Sequence, residues 1–333
     1  MRRLLIAVAV IAALLAAAWF GVARGIDAGL RSWFAARSAE GWVAEYGTLS
    51  TTGFPRSFRT VLTDVTLADP DSGLVWAAPR FGFEAATFRP HRITARWPAE
   101  QSIASPFERV DIVAERFEAV IAFLPGTRLE VETIAADLAG VDLVSSLGWT
   151  AGFEVGTFSA TAIDGRDNAY RILFEAGDLG LPDDLRRRLD PARLLPDVIE
   201  GMVLEAEVGF DAPWDRFAIE VGRPQVKALD LGSFRAQWGG IDVQAAGALT
   251  VAPDGVPEGR ITIRITNWRD LLRVARNAGL FPEPLMPTIE RAFEILAGLS
   301  GGPDTLDAPL TFANGRVSFG PVPLGPAPRL AIR

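Results

Sequence analysis

Ser300 stands in Gly298-Leu299-Ser300-Gly301-Gly302, which has the letters of a nucleophile elbow, the turn that lifts a hydrolase serine to the top of a sheet. That chemistry needs a strand before the serine, a helix after it and a histidine later in the chain. Here a helical pattern precedes Ser300 and a proline-bearing loop follows. The single histidine, His91, lies more than two hundred residues earlier. The motif therefore reads as a glycine-terminated helix. His91 sits in Phe88-Arg89-Pro90-His91-Arg92, a turn between strands, and reads as an exposed or locally bonded residue.

The acidic pair Asp183-Asp184 could serve acid–base or metal chemistry, but at a helix start it is explained by the helix dipole. Arg186-Arg187-Arg188 reads as a solvated helix face, with contact to anionic lipid head groups as the other reading. No cysteine is present, which excludes disulfides and thiolate metal sites, and one histidine leaves metal binding to carboxylates. P-loop, dinucleotide, H-E-x-x-H and S-x-x-K patterns are absent. The expectation is a protein that is not an enzyme, with no catalytic, metal or cofactor-binding residue to name and no cofactor.

Composition bounds the rest. The 333 residues are 49% hydrophobic and carry a net charge of −8, with 32 arginines beside the lone Lys227. An acidic chain argues against a nucleic-acid partner. Its apolar content and length suffice for a large core without staples.

The elements that would position any site begin with a membrane segment. Leu4 to Ala23 is twenty residues without a charge, bracketed by Arg2-Arg3 and Arg24. A helix of that length covers about 30 Å, the thickness of the hydrocarbon core. A cleaved signal peptide is the rival, since Ala16-Ala17-Ala18 offers small residues to a peptidase, but its apolar region is usually shorter. The lipid bilayer is thus the expected partner of residues 4–23, with 1–3 as a cytoplasmic head and the bulk exported to the periplasm. Positive charges are close to balanced across the span, so the short head decides this orientation. Without Arg2, Arg3 and Arg24 the remainder holds 30 basic and 41 acidic residues, a balance of −11. Ile26, Leu30, Trp33, Phe34 and Arg37 continue helical spacing through a juxtamembrane helix, 24–41. That helix lays Trp33 and Phe34 on the membrane interface or on the domain, and Trp42 is a further interfacial candidate.

From about residue 42 the period changes from 3.6 to 2. Thr60 to Leu67 puts Val61, Val65 and Leu67 on one face. Leu74-Val75-Trp76 is a second run, broken at Pro79 and resumed at Arg80 to Glu84. Arg92 to Trp97, Arg109 to Leu124, Leu129 to Leu138, Phe153 to Ile163 and Tyr170 to Ala176 follow. Pro182 to Leu185 opens a helix and Asp190-Pro191 a second. Strands return at Val203 to Phe210, Phe217 to Val221, Phe234 to Trp238 and Ile241 to Ala245. A hairpin joins Ala248–Val251 to Arg260–Ile265. Trp268 to Ala278, capped by Asn267, and Pro287 to Leu299 are helices, and Asn314-Gly315 turns a last hairpin. The proline-rich stretch from Pro321 to Pro328 reads as an edge or extended end. The fold class expected is mainly β (α+β): an N-terminal transmembrane helix, then an elongated, largely antiparallel β-sheet domain with a few short helices. Its two β-rich halves, 42–181 and 203–333, are joined by a helical insert at 182–202.

Gly53-Phe54-Pro55, Leu62-Thr63-Asp64-Val65, Asp69-Pro70, Gly73, Trp76, Ala78-Pro79 and Trp97-Pro98 resemble an uncharacterised bacterial envelope family, domain of unknown function 2125. So do Trp238-Gly239, Gly247-Ala248-Leu249, Asp254-Gly255, Gly259, Asn267-Trp268 and Gly320-Pro321. The resemblance covers nearly the whole chain and implies an envelope location, typical of alphaproteobacteria, with no catalytic residues to carry over. The style of the repeated β units also resembles AsmA-like proteins, which are anchored in the inner membrane and implicated as a group in lipid transport or outer-membrane homeostasis. That second resemblance implies phospholipid acyl chains as partners along an apolar sheet face. The alternative is a structural or adaptor subunit with a closed core and other envelope proteins as partners.

Overall fold

The computed structural model describes residues 1–333 except 71, 221, 301 and 333, with the backbone alone at 219 and 220. Its contacts group into two compact units, Met1–Pro125 with Gly140–Gly148, and Gly126–Ala139 with Trp149 onward.

The first unit opens with α1 (Arg2–Ala39), unbroken from the apolar stretch through the juxtamembrane residues. It continues with β1 (Val43–Glu45), β2 (Leu49–Thr52), β3 (Ser57–Ala68), β4 (Val75–Ala86), β5 (Arg89–Arg96), β6 (Glu100–Ala104) and β7 (Arg109–Phe123). β3 pairs with both β1 and β2 along one edge and with β4 along the other. β4 is flanked by β5 and β6 in succession, and both pair with β7. β8 (Val131–Ser145) gives its last residues to this unit and its first to the other.

The second unit is a meander. β9 (Thr150–Ala162), β10 (Ala169–Gly180), β11 (Val198–Phe210), β12 (Val226–Trp238), β13 (Ile241–Val251) and β14 (Pro257–Thr266) each pair antiparallel with the next. β15 (Thr305–Ala313), β16 (Arg316–Phe319) and β17 (Val322–Pro326) complete it. Asn314 and Gly315 both take positive φ (53° and 70°), as a tight hairpin turn requires. α2 (Asp183–Leu189) interrupts β10 and β11, and α3 (Phe217–Glu220) precedes β12. α4 (Trp268–Asn277) and α5 (Met286–Leu299) fall between β14 and β15. They seat Trp268, Leu272, Ile289, Phe293 and Ala297 on Ile265, Leu306, Ala308 and Phe319, the main core of the unit.

The strand content, the antiparallel pairing and the long apolar helix match the expected class. Several local expectations are corrected. In β3 the buried residues are Phe58, Thr60 and Leu62, then Val65, because Asp64 adopts a left-handed backbone (φ 51°) and turns the other side of the strand inward. Opposite it, Pro79 does not break β4, which runs through from Val75 to Ala86. No helix starts at Asp190-Pro191. The Asp190 carboxylate accepts the Leu195 N–H (2.8 Å), and Arg193 has φ 52°, so the chain loops instead. Phe217 begins a short helix rather than a strand, since Asp215 accepts the Phe217 N–H (2.9 Å) and starts the turn; Val221 lies outside the described residues. Asn267 precedes α4 but does not cap it with its side chain, which donates to the Gly240 carbonyl.

The unit boundary also falls elsewhere than at 182–202. Register between β10 and β11 runs on to Gly180 and Val198 across the insert. The insert is tied to the second unit by Asn277 Nδ2 donating to the Leu189 carbonyl (2.9 Å) and Trp238 Nε1 to the Pro196 carbonyl (2.9 Å).

Candidate functional site: the anchor helix and the sheet it braces

The apolar stretch of α1 is long and hydrophobic enough to cross a membrane and is almost entirely bare, with 6% of it buried. Its first buried residue is Trp19, stacked on Phe58 of β3 (centroids 5.2 Å, planes 10° apart) and edge-on to Phe54 (5.5 Å). Ala23 and Ile26 continue this contact, and Thr51 Oγ1 donates to Asp27 Oδ1 at 2.6 Å. Two turns further, Phe34 closes a cluster with Ala44, Leu49, Leu62 and Val65.

From Trp19 to Phe34 a helix rises about 22 Å, and from Phe58 to Val65 a strand rises about 23 Å. The lengths match, so Trp19 and Phe34 reach Phe58 and the Leu62–Val65 region of β3 while the helix backbone lies on β1 and β2. The helical spacing continues as expected, but it separates the two rings that were expected together: Phe34 faces the domain, while Trp33 stays 39% exposed with Arg37 over its ring. Trp42 packs on the Phe34 cluster instead of projecting away from the domain.

Beyond the helix, the same face of the first unit carries a file of half-buried rings. Trp76 meets Phe81 edge-on at 5.7 Å, Phe81 meets Trp97 at 5.2 Å, and Trp97 stacks on Phe117 at 4.6 Å. Trp76 Nε1 donates to Gln101 Oε1 (2.8 Å), and the buried Gln101 Nε2 has no hydrogen-bond partner among the described residues. Gln101 borders an open concavity of about 520 Å³ with Pro79, Arg109, Asp111 and Ile112. The opposite face is polar. Arg59, Glu84, Arg96 and Glu118 form a row of ion pairs across β3, β4, β5 and β7. Hydrogen bonds from Ser57 and then Arg59 hold the Glu84 carboxyl below the usual range.

In the second unit one face of the sheet carries Arg235–Asp242 and Arg264–Asp307 pairs, while α4 and α5 cover the other. Tyr170 is buried there and donates to the Val131 carbonyl at 2.8 Å. Burial, with Glu130 and Asp215 nearby, pushes its hydroxyl up to about 12.

The residues singled out for chemistry are not brought into one site. Ser300 Oγ donates to the Leu296 carbonyl (2.8 Å) and accepts the Asp307 N–H (3.0 Å), the bonds of a helix end; Gly301 lies outside the described residues. His91 is exposed in β5, where Pro90, His91 and Arg92 bulge from the β4 ladder between Ala86↔Arg89 and Ala85↔Ile93. Asp183 and Asp184 occupy the first turn of α2. Arg187 and Arg188 are exposed as expected, but the Arg186 side chain is only 15% exposed and pairs with Asp183 and Asp197. Among the described residues no three histidine or acidic side chains gather as a metal site would require. Sequence reasoning missed the Trp76–Gln101 bond and the ring file, whose members are scattered over forty residues with no shared spacing.

No curated protein and no solved structure matches the chain. Residues 19–328 match a family model described as "Uncharacterized protein conserved in bacteria (DUF2125)". The match begins at Trp19, the residue at which α1 first meets the sheet. The chain belongs to that bacterial family.

Proposed function

We propose that this is a non-enzymatic, single-pass protein of the bacterial inner membrane. Its N-terminal head lies in the cytoplasm, its β-rich bulk in the periplasm, and the apolar face of its first unit receives lipid acyl chains. The observation that carries the reading is the half-buried ring file of Trp76, Phe81, Trp97 and Phe117, continuous with the face that α1 covers only over β1–β4. Large apolar side chains left half open favour a hydrophobic partner. A bare apolar helix leading straight onto that face supplies a lipid source beside it. The resemblance to AsmA-like proteins points the same way.

Native mass spectrometry of the detergent-extracted protein tests it. Co-purifying phospholipid, lost on Trp97→Glu with the fold retained, is expected; a lipid-free protein would sink the idea. A C-terminal alkaline phosphatase fusion should be active in an intact cell, and an inactive one refutes the periplasmic placement.

The second reading, a structural or adaptor subunit, is favoured by the second unit. There α4 and α5 close the core completely enough to leave Trp268 1% and Leu306 0% exposed. A lipid-free preparation that holds a stoichiometric envelope protein would establish it.

A further inference from the structure

The end of the first unit beside the anchor is built differently from its far end. The β2–β3 turn presents Phe54, 47% exposed, and the two-residue β4–β5 turn presents Phe88, 86% exposed. Thr87 fastens the two turns, donating from its amide to the Arg56 carbonyl (3.0 Å) and from its hydroxyl to the Pro55 carbonyl (2.8 Å). Leu124 projects from the same end, one strand over, since Arg92 pairs with Ala122. Between these apolar tips stand Arg56, Arg89, His91 and Arg92, all exposed, and no acidic residue occurs in 53–57 or 87–92.

Helix length sets where this end must lie. The bare apolar run before the sheet contact, Leu4 to Ala18, is fifteen residues and rises about 22 Å, short of the roughly 30 Å hydrocarbon core. Spanning it requires Trp19 to Ala23 as well, a further rise of about 7 Å. Those are the residues against which Phe54 and Phe58 are packed. Phe54 also stacks on Phe20 (5.5 Å), within the same five residues. A bilayer that covers the helix to Ala23 therefore reaches the turn tips, at the depth of about 5–10 Å where interfacial aromatic residues sit. Arginines beside such tips lie at the level of lipid phosphates.

We propose that this end of the first unit is inserted in the membrane interface: Phe54 and Phe88 enter the acyl boundary, and Arg56, Arg89 and Arg92 hold anionic lipid headgroups. This rests on the reading of α1 as a membrane span, and adds that the domain is seated on the bilayer instead of standing off it. The far end supplies the contrast. Its 105–108 turn, against Gly73, exposes Phe107 beside Glu108, and the one arginine next to it in sequence, Arg109, is paired with Asp111.

The chain has no cysteine, so single sites can be labelled in the full-length protein. Ile11→Cys, Phe54→Cys, Phe88→Cys and Phe107→Cys would each carry an NBD fluorophore. The proteins are placed in vesicles of phosphatidylcholine and phosphatidylglycerol with shallow or deep doxyl-lipid quenchers. Quenching by deep doxyl is expected at position 11, severalfold quenching by shallow doxyl at 54 and 88, and little at 107. A label at 11 that escapes quenching overturns the span, and the seating with it. Quenching at 11 with 54 and 88 as unquenched as 107 leaves the span standing and overturns the seating alone. Phe88 is so exposed that its replacement leaves the core untouched, which keeps the test valid if Phe54→Cys fails to fold. Arg56→Glu, Arg89→Glu and Arg92→Glu together should reduce quenching at 88 in phosphatidylglycerol vesicles. Unchanged quenching refutes the headgroup contact.

Discussion

Replacing Phe34 by alanine tests how α1 is fixed to the sheet. Phe34 is 6% exposed, lies among Ala44, Leu49, Leu62 and Val65, and meets Tyr46 edge-on at 4.8 Å. Truncating a buried phenylalanine removes its transfer energy and leaves a cavity, together about 3–5 kcal/mol. The site lies between a helix and a sheet and can partly close, so about 3 kcal/mol is expected. Its neighbour Trp33 is the larger side chain but stays 39% exposed, with Phe34's ring edge and Arg37 against it. Trp33→Ala should cost about 1 kcal/mol or less. The two variants therefore rank opposite to side-chain size. Urea unfolding of the full chain in mild detergent, followed by far-ultraviolet circular dichroism, reads both differences from the shift in midpoint. A Trp33→Ala loss equal to or above that of Phe34→Ala would refute the helix phase. With it would fall the packing of α1 on the sheet.

Gly259 has φ 139°, and a Cβ there would run into the Ala248 carbonyl oxygen across the β13–β14 ladder, so Gly259→Ala should cost about 2–4 kcal/mol in thermal or urea unfolding. Gly209→Ala, with nothing nearer than 3.8 Å, should be tolerated. Because Glu84 is held below its usual range, its ion-pair row stabilises the fold above the carboxylate's unfolded pKa and loses that contribution as pH falls through the folded value. Glu84→Gln should cost about 0.5–1 kcal/mol at neutral pH and flatten the decline in stability below about pH 5, read by unfolding at several pH values. In a Tyr46→Phe variant, Tyr170 is the only tyrosine, and its absorbance at 295 nm should rise near pH 12 instead of 10. Its folded value is raised, so stability declines between those two pH values as the unfolded state ionises first.

Much of the scaffold was legible where local chemistry decides conformation. The charge-free run from Leu4 to Ala23, the acids opening α2 and the Asn314-Gly315 turn all act within a few residues. The misreadings arose where a distant partner decides. Pro79 looks like a strand breaker, but it faces Asp64, whose left-handed backbone no periodicity announces. Phe217 alternates like a strand until Asp215 captures its amide. Asn267 has the identity of a cap, yet its side chain goes to Gly240, twenty-seven residues earlier. The aromatic file was invisible for the same reason: Trp76, Phe81, Trp97 and Phe117 are neighbours only after β4, β5 and β7 are in register.

The meander of the second unit has a kinetic consequence. From β9 to β14 every ladder joins a strand to the one just before it, and three of the five links are of six residues or fewer, the other two carrying α2 and α3. Short loops are cheap to close and speed folding, whereas distant pairings slow it. During synthesis the strands appear in that order, so each hairpin can close as its second strand is made. The longest wait is for β15, which reaches β14 only after α4 and α5 have been made. Until then the edge of β14 lies open, and for that interval the growing chain is most exposed to proteases and to pairing with other strands.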